Sequence, residues 1–167
     1  MEDLTLFPSG GNRRTLDARW LASLERQGLA AFLPSQPAVA PQRLLRAAEQ
    51  FNGGQFWECH ETLEDLWRET PYPLRLFYHS IIKVAVGFHH LERHNRHGAS
   101  AKLAEGVQLM GAFTPVFMRI ATGSLLEDAS RWLGRLEAGS RLCWPDLDAL
   151  PRPQIRAASP GDPTEAD

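Results

Sequence analysis

Apolar residues in this chain recur at three- and four-residue intervals between Gly and Pro breaks, and nowhere do they alternate as in a half-buried strand. The pattern predicts an all-α fold: an antiparallel bundle of about five to six helices between an irregular leader and a disordered tail. Residues 1–14, with Pro8, Gly10 and Gly11, read as the leader. Leu16, Trp20, Leu21 and Leu24 share one face of a short first helix that stops near Gly28. Pro34, Pro37 and Pro41 impose an extended connection, after which Leu44, Leu45, Ala48 and Phe51 face inward from a second helix ending at Asn52-Gly53. A third helix runs from Gln55 to Glu69, and Thr70-Pro71-Tyr72-Pro73 turns the chain into a fourth, Leu74 to His94. That fourth helix is apolar around most of its circumference, so it belongs in the middle of the bundle. Asn95 caps a fifth helix reaching Phe113, where Gly98, Ala101 and Gly106 permit close approach by a neighbour. Ser124-Leu125-Leu126-Glu127 reads as a capping box opening a sixth, with Ala129, Trp132, Leu133 and Leu136 inward and Gly139 at its end. Residues 142–150 drape over the bundle, and 151–167, with four prolines and no apolar period, read as the disordered tail. The domain reading is therefore an extension over 1–40, a helical domain over 41–150 and a tail over 151–167.

Chemistry concentrates in the third helix. Phe56, Cys59, His60, Leu63, Leu66 and Trp67 form its core stripe at about 100° per residue, which puts His60 at the edge of the buried face. Glu64 stands one turn beyond His60, Glu61 lies on the flank shared with Trp57, and Glu58, Asp65 and Glu69 point to solvent. His60-Glu61-x-x-Glu64 has the spacing of the metallopeptidase helix, with a carboxylate in place of the second imidazole. Divalent metals accept such mixed ligands, but two ligands do not complete a site. The fourth helix carries His79, His89, His90 and His94, with His97 just beyond.

Composition removes several function classes. A net charge of −2 gives no footprint for nucleic acid or an anionic membrane surface. Cys59 and Cys143, far apart, make neither a disulfide framework nor a zinc ligand set and suit a reducing cytoplasm. No leader peptide or membrane-length apolar run is expected. A Cys59–His60 nucleophile pair is excluded because adjacent helical residues do not face each other.

Phe51-Asn52-x-Gly54-x-Phe56-Trp57-Glu58-x-His60-Glu61-x-Leu63-Glu64-x-x-Trp67, then Phe77-Tyr78 and Ile81-Ile82-x-Val84-Ala85, then His90, Asn95, Gly98 and Ala99, resemble the bacterial and archaeal family catalogued as domain of unknown function 309. The resemblance covers about residues 43–110. It implies packed antiparallel helices in a small cytoplasmic protein and no activity. Its pattern singles out Glu58, His60, Glu61, Glu64, Trp67, His90, Asn95 and Gly98. Where the family usually has Gly before the Asn, this chain has His94, which argues against a left-handed helix end there and adds an imidazole.

Two readings of function stay open. In the first, His60, Glu61, Glu64 and His90 form a buried hydrogen-bonded network in a non-catalytic binding or scaffold protein, which self-associates or docks a protein partner. In the second, His60 and Glu64 join His90 or His89 around a divalent metal, and Glu61 is the base of a hydrolase. The second is weakened by register: an antiparallel turn near residue 71 sets His60 opposite Ile82, more than a turn from His90. Arg75, Arg93 and Arg96 near the histidines suggest an anionic small molecule, and Trp20, Trp132 and Trp144, outside the family-like core, either cover surface that shorter relatives leave open or supply a partner interface.

Overall fold

A computed structural model describes residues 13–29, 40–137 and 141–161 of the chain. The expected leader up to residue 12, the proline-rich connection at 30–39, Gly139 and the end of the tail lie outside the described residues. Among the described residues seven α-helices follow one another: α1 (Arg13–Gln27), α2 (Gln42–Asn52), α3 (Phe56–Glu69), α4 (Leu74–Glu92), α5 (Arg96–Met110), α6 (Thr122–Leu136) and α7 (Trp144–Ala149). The seventh is a short helix inside the segment expected only to drape over the bundle.

Helix α4 is the axis. Leu76, Phe77, Ile81, Val84, Ala85, Phe88 and Leu91 are fully buried along it, and the larger of these side chains each stabilise the fold by about 1.5–3 kcal/mol relative to exposure. Ring contacts fix the direction of its neighbour: Trp57 at the start of α3 meets His89 at the end of α4, whereas Trp67 at the end of α3 meets His79 near the start of α4. The two helices are antiparallel. On the other side α5 closes in through small residues: a Cβ on Gly106 would stand 2.8 Å from Val84 Cγ2 and 3.0 Å from the Ser80 carbonyl. The expected close approach is therefore real at Gly106, while Gly98 instead fits beneath Asn95 and His90 and Ala101 is exposed. Phe51, Phe56, Phe88 and Trp132 continue as an aromatic line through α2, α3, α4 and α6, centroids 5.1, 5.4 and 5.7 Å apart in turn.

Several expectations are corrected. Leu45 is not inward but 49% exposed, because Leu44, Ala47 and Phe51 take the buried face of α2. The capping box at Ser124 does not form. Helix α6 begins earlier, at Thr122, whose hydroxyl donates to the Phe113 carbonyl at 2.6 Å while Gly123 N donates to the Pro115 carbonyl at 2.8 Å. Tertiary anchoring, not a side-chain cap, sets that helix start. His94 is left-handed, φ 55, despite the glycine it lacks. A single left-handed L-residue costs about 1–2 kcal/mol, offset here by its ring stacking on Trp144 at 4.3 Å and by Nε2 lying 2.9 Å from Asp148. The tail is ordered where it begins: Asn52 Nδ2 donates to the Ile155 carbonyl at 2.9 Å, Ile155 N donates to Asn52 Oδ1 at 2.7 Å, and Ile155 is buried.

Candidate functional site

The core stripe of α3 holds Phe56, Cys59, Leu63 and Trp67 inside the bundle, and that fixes what the other side chains can do. Trp57, one position round from Phe56, is thrown outward and is 45% exposed. Its ring centroid lies 4.6 Å from that of His60 and 4.8 Å from that of His89. The indole is thus pinned between an imidazole of its own helix and one from the end of α4. Glu58 and Glu61 on the same helix and Glu92 at the end of α4 are exposed. The Glu92 carboxyl is pushed above its ordinary range by burial and by the neighbouring charge of Glu58, against the pull of Arg152 and His89.

The candidate residues do not converge. His60 Nε2 lies 3.5 Å from Glu64, which also accepts from Arg68 at 3.2 Å. Glu61 is exposed on the outer flank. His90 turns the other way, with Nδ1 at 3.4 Å from the Asn95 amide, and Asn95 Oδ1 accepts from Gly98 N at 2.9 Å. His90, Asn95 and Gly98 therefore build the corner between α4 and α5, and the sequence-derived four-member buried network reduces to the single pair His60–Glu64. Register decides this outcome: His89, not His90, returns to the start of α3, and it meets Trp57 instead of His60. Among the described residues no three His, Cys, Asp or Glu side chains are grouped to hold a metal ion, so the expected metal set of His60, Glu64 and His89 or His90 does not fit. Burial pushes the Cys59 thiol up to about 12, against the smaller lowering effect of a hydrogen bond with the Phe51 backbone, and leaves it inert. The His90 imidazole is held below its ordinary value first by burial, then by His89, Lys102 and Arg93.

A second polar cluster at the far end of α3 escapes sequence reasoning. Asp17 of α1 accepts from the Tyr72 hydroxyl and lies 2.9 Å from His79 Nδ1. Arg75, buried, lays its guanidinium 3.9 Å over Trp67. Asp17, His79, Lys83 and Glu105 border a cleft of about 240 Å³. Both lysines of the chain, Lys83 and Lys102, reach the one Glu105 carboxylate, at 2.7 and 3.5 Å. Burial raises that carboxyl, but the lysines outweigh it and hold it below the usual range. Helical spacing gives the face of His79; it does not reveal that Asp17, 62 positions earlier, will meet it.

Comparison with known proteins follows the same boundary. Residues 44–101 match the family model described as Domain of unknown function (DUF309), a span holding Trp57, His60, Glu61, Glu64, His89, His90, Asn95 and Gly98. An uncharacterised protein of Bacillus subtilis (strain 168), YpuF, is 36% identical over 58 residues, 34% of this chain and 33% of its own length. The chain thus spans a third of that relative. No solved structure matches. No helix of the described residues is long and apolar enough to cross a membrane. The likeness to the domain of unknown function 309 family thus lies in residues 44–101, which hold all of α3 and α4.

Proposed function

We propose that this chain is a non-catalytic protein-binding module whose docking surface is centred on Trp57. The observation that carries the reading is the indole itself, 45% exposed yet clamped between His60 and His89. A rigid exposed Trp has little conformational freedom left to lose on binding, and Trp is among the residues that dominate interface energies. Exposed carboxylates belong to the same end of the helix pair, Glu58 and Glu61 within one turn of Trp57 on α3 and Glu92 on α4 within reach of the charges of His89 and Glu58, so the fitting partner is a basic amphipathic segment of another protein, its apolar residue on the indole and its cations toward these carboxylates. A second copy of the chain fits poorly by the same face, because two-fold pairing sets like carboxylates against one another. Catalysis by Glu61 is disfavoured by its exposure and by the absence of a converging donor set among the described residues. Two free cysteines, Cys59 and Cys143, support a cytoplasmic setting for this role.

The test is a titration of isotope-labelled protein with a synthetic Arg/Leu amphipathic helix and with a Glu/Leu helix of the same apolar face. The reading requires shift changes centred on Trp57, His60 and His89 with the basic peptide, weakened by salt. Equal response to both peptides, or changes remote from Trp57, would contradict it.

A further inference from the structure

Outside the family-matched segment, α6 and the ordered start of the tail enclose a cleft of about 220 Å³ lined by Arg131, Arg135, Arg152 and Arg156 around Trp132. We propose that this cleft is a phosphate site that takes the phosphate group of a small phosphorylated molecule. Trp132 meets Phe88 in the core at right angles, centroids 5.7 Å apart. Its ring supports two guanidinium groups, Arg135 at 5.1 Å and Arg152 at 4.7 Å. Four cations share one lining carboxylate, Asp128, and that group is already engaged with Arg131 at 3.0 Å. Arg135, Arg152 and Arg156 make no ion pair with a carboxylate among the described residues.

Arg152 is positioned as a binding group would be. Its Nη1 donates to the Leu147 and Leu150 carbonyls at 2.9 and 3.1 Å, which fixes the planar fork without neutralising it. Burial depresses its proton affinity, and the charges of Asp148 and Glu92 only partly restore it. Gathering four like charges around a half-enclosed cleft costs free energy through mutual repulsion and desolvation, and a multivalent oxyanion removes that cost. Guanidinium groups match phosphate oxygens with paired, charge-assisted hydrogen bonds. The cleft is smaller than the about 300 Å³ at which ordinary small-molecule sites begin, so it suits a phosphate head group and not a whole nucleotide.

The experiment measures the melting temperature of the full chain against inorganic phosphate, pyrophosphate and glycerol 3-phosphate, with sodium chloride at matched ionic strength. The proposal requires a saturable rise with at least one phosphate and none with chloride, and the three ligands tell a free anion from a phosphomonoester. Arg135→Gln combined with Arg156→Gln should weaken that binding by at least about tenfold, as loss of charge-assisted bonds demands, without lowering the ligand-free melting temperature. Arg156→Gln alone is the safeguard for folding, since its exposed side chain makes no polar contact among the described residues, and it should weaken binding in the same direction. A rise equal to that of chloride, no saturation, or undiminished binding by the folded variants overturns the proposal.

Discussion

The two ends of α3 each set an indole against an imidazole delivered by α4, yet they serve opposite ends. At the end near Tyr72, Trp67 is buried, Arg75 covers its face and Asp17 holds His79 and the Tyr72 hydroxyl. Each polar group there is tied to another helix, so the cluster joins α1 to the bundle. At the end near Gln55, Trp57 stands 45% exposed between His60 and His89, and no other helix of the described residues is in ring contact with it. Identical residue types thus become structure or display according to whether a further element packs over them. Among the described residues, helix α1 reaches the Trp67 end, through Asp17.

The largest effect that sharpens this contrast is at the indoles. Trp67→Ala should cost about 3–5 kcal/mol in urea unfolding, whereas Trp57→Ala, half exposed already, should fall within about 1 kcal/mol of wild type. Next is Asp17→Ala, which removes the acceptor of the Tyr72 hydroxyl and the partner of His79 and should cost about 1–3 kcal/mol; a near-neutral result would mean that α1 is not held by this cluster. Cysteine alkylation gives a smaller but clean difference. Cys143 is exposed and should react within the folded protein, while Cys59, with its thiol pushed up to about 12, should react only on unfolding. The smallest effect is in pH. The His90 pKa is lowered from 6.5 by burial, then by His89, Lys102 and Arg93, so between the two values the folded state binds fewer protons than the unfolded and stability rises with pH. That contribution is present above 6.5 and lost as pH falls through the folded value. Melting curves should show a shallow decline on acidification that His90→Gln flattens.

Helices were legible in the sequence because period and punctuation are local. The stripe Phe56, Cys59, Leu63 and Trp67 is visible by counting residues, and it places Trp57 and Glu58 outside. Pairings across helices were not. Asp17 with His79 and Asn52 with Ile155 join residues far apart in sequence, and the Pro-rich composition of the tail concealed a single buried Ile that orders its first part. His94 follows the same rule, since what holds its left-handed backbone is Trp144 and Asp148, beyond the family-matched segment. The candidate metal set looked plausible on one helix and came apart once register brought His89, not His90, to Trp57.

The central claim, that Trp57 displays and Trp67 supports, is tested most directly by measuring unfolding free energy and basic-peptide affinity together for Trp57→Ala. The account predicts wild-type stability with affinity lost. Undiminished affinity, or destabilisation comparable to Trp67→Ala, would contradict it.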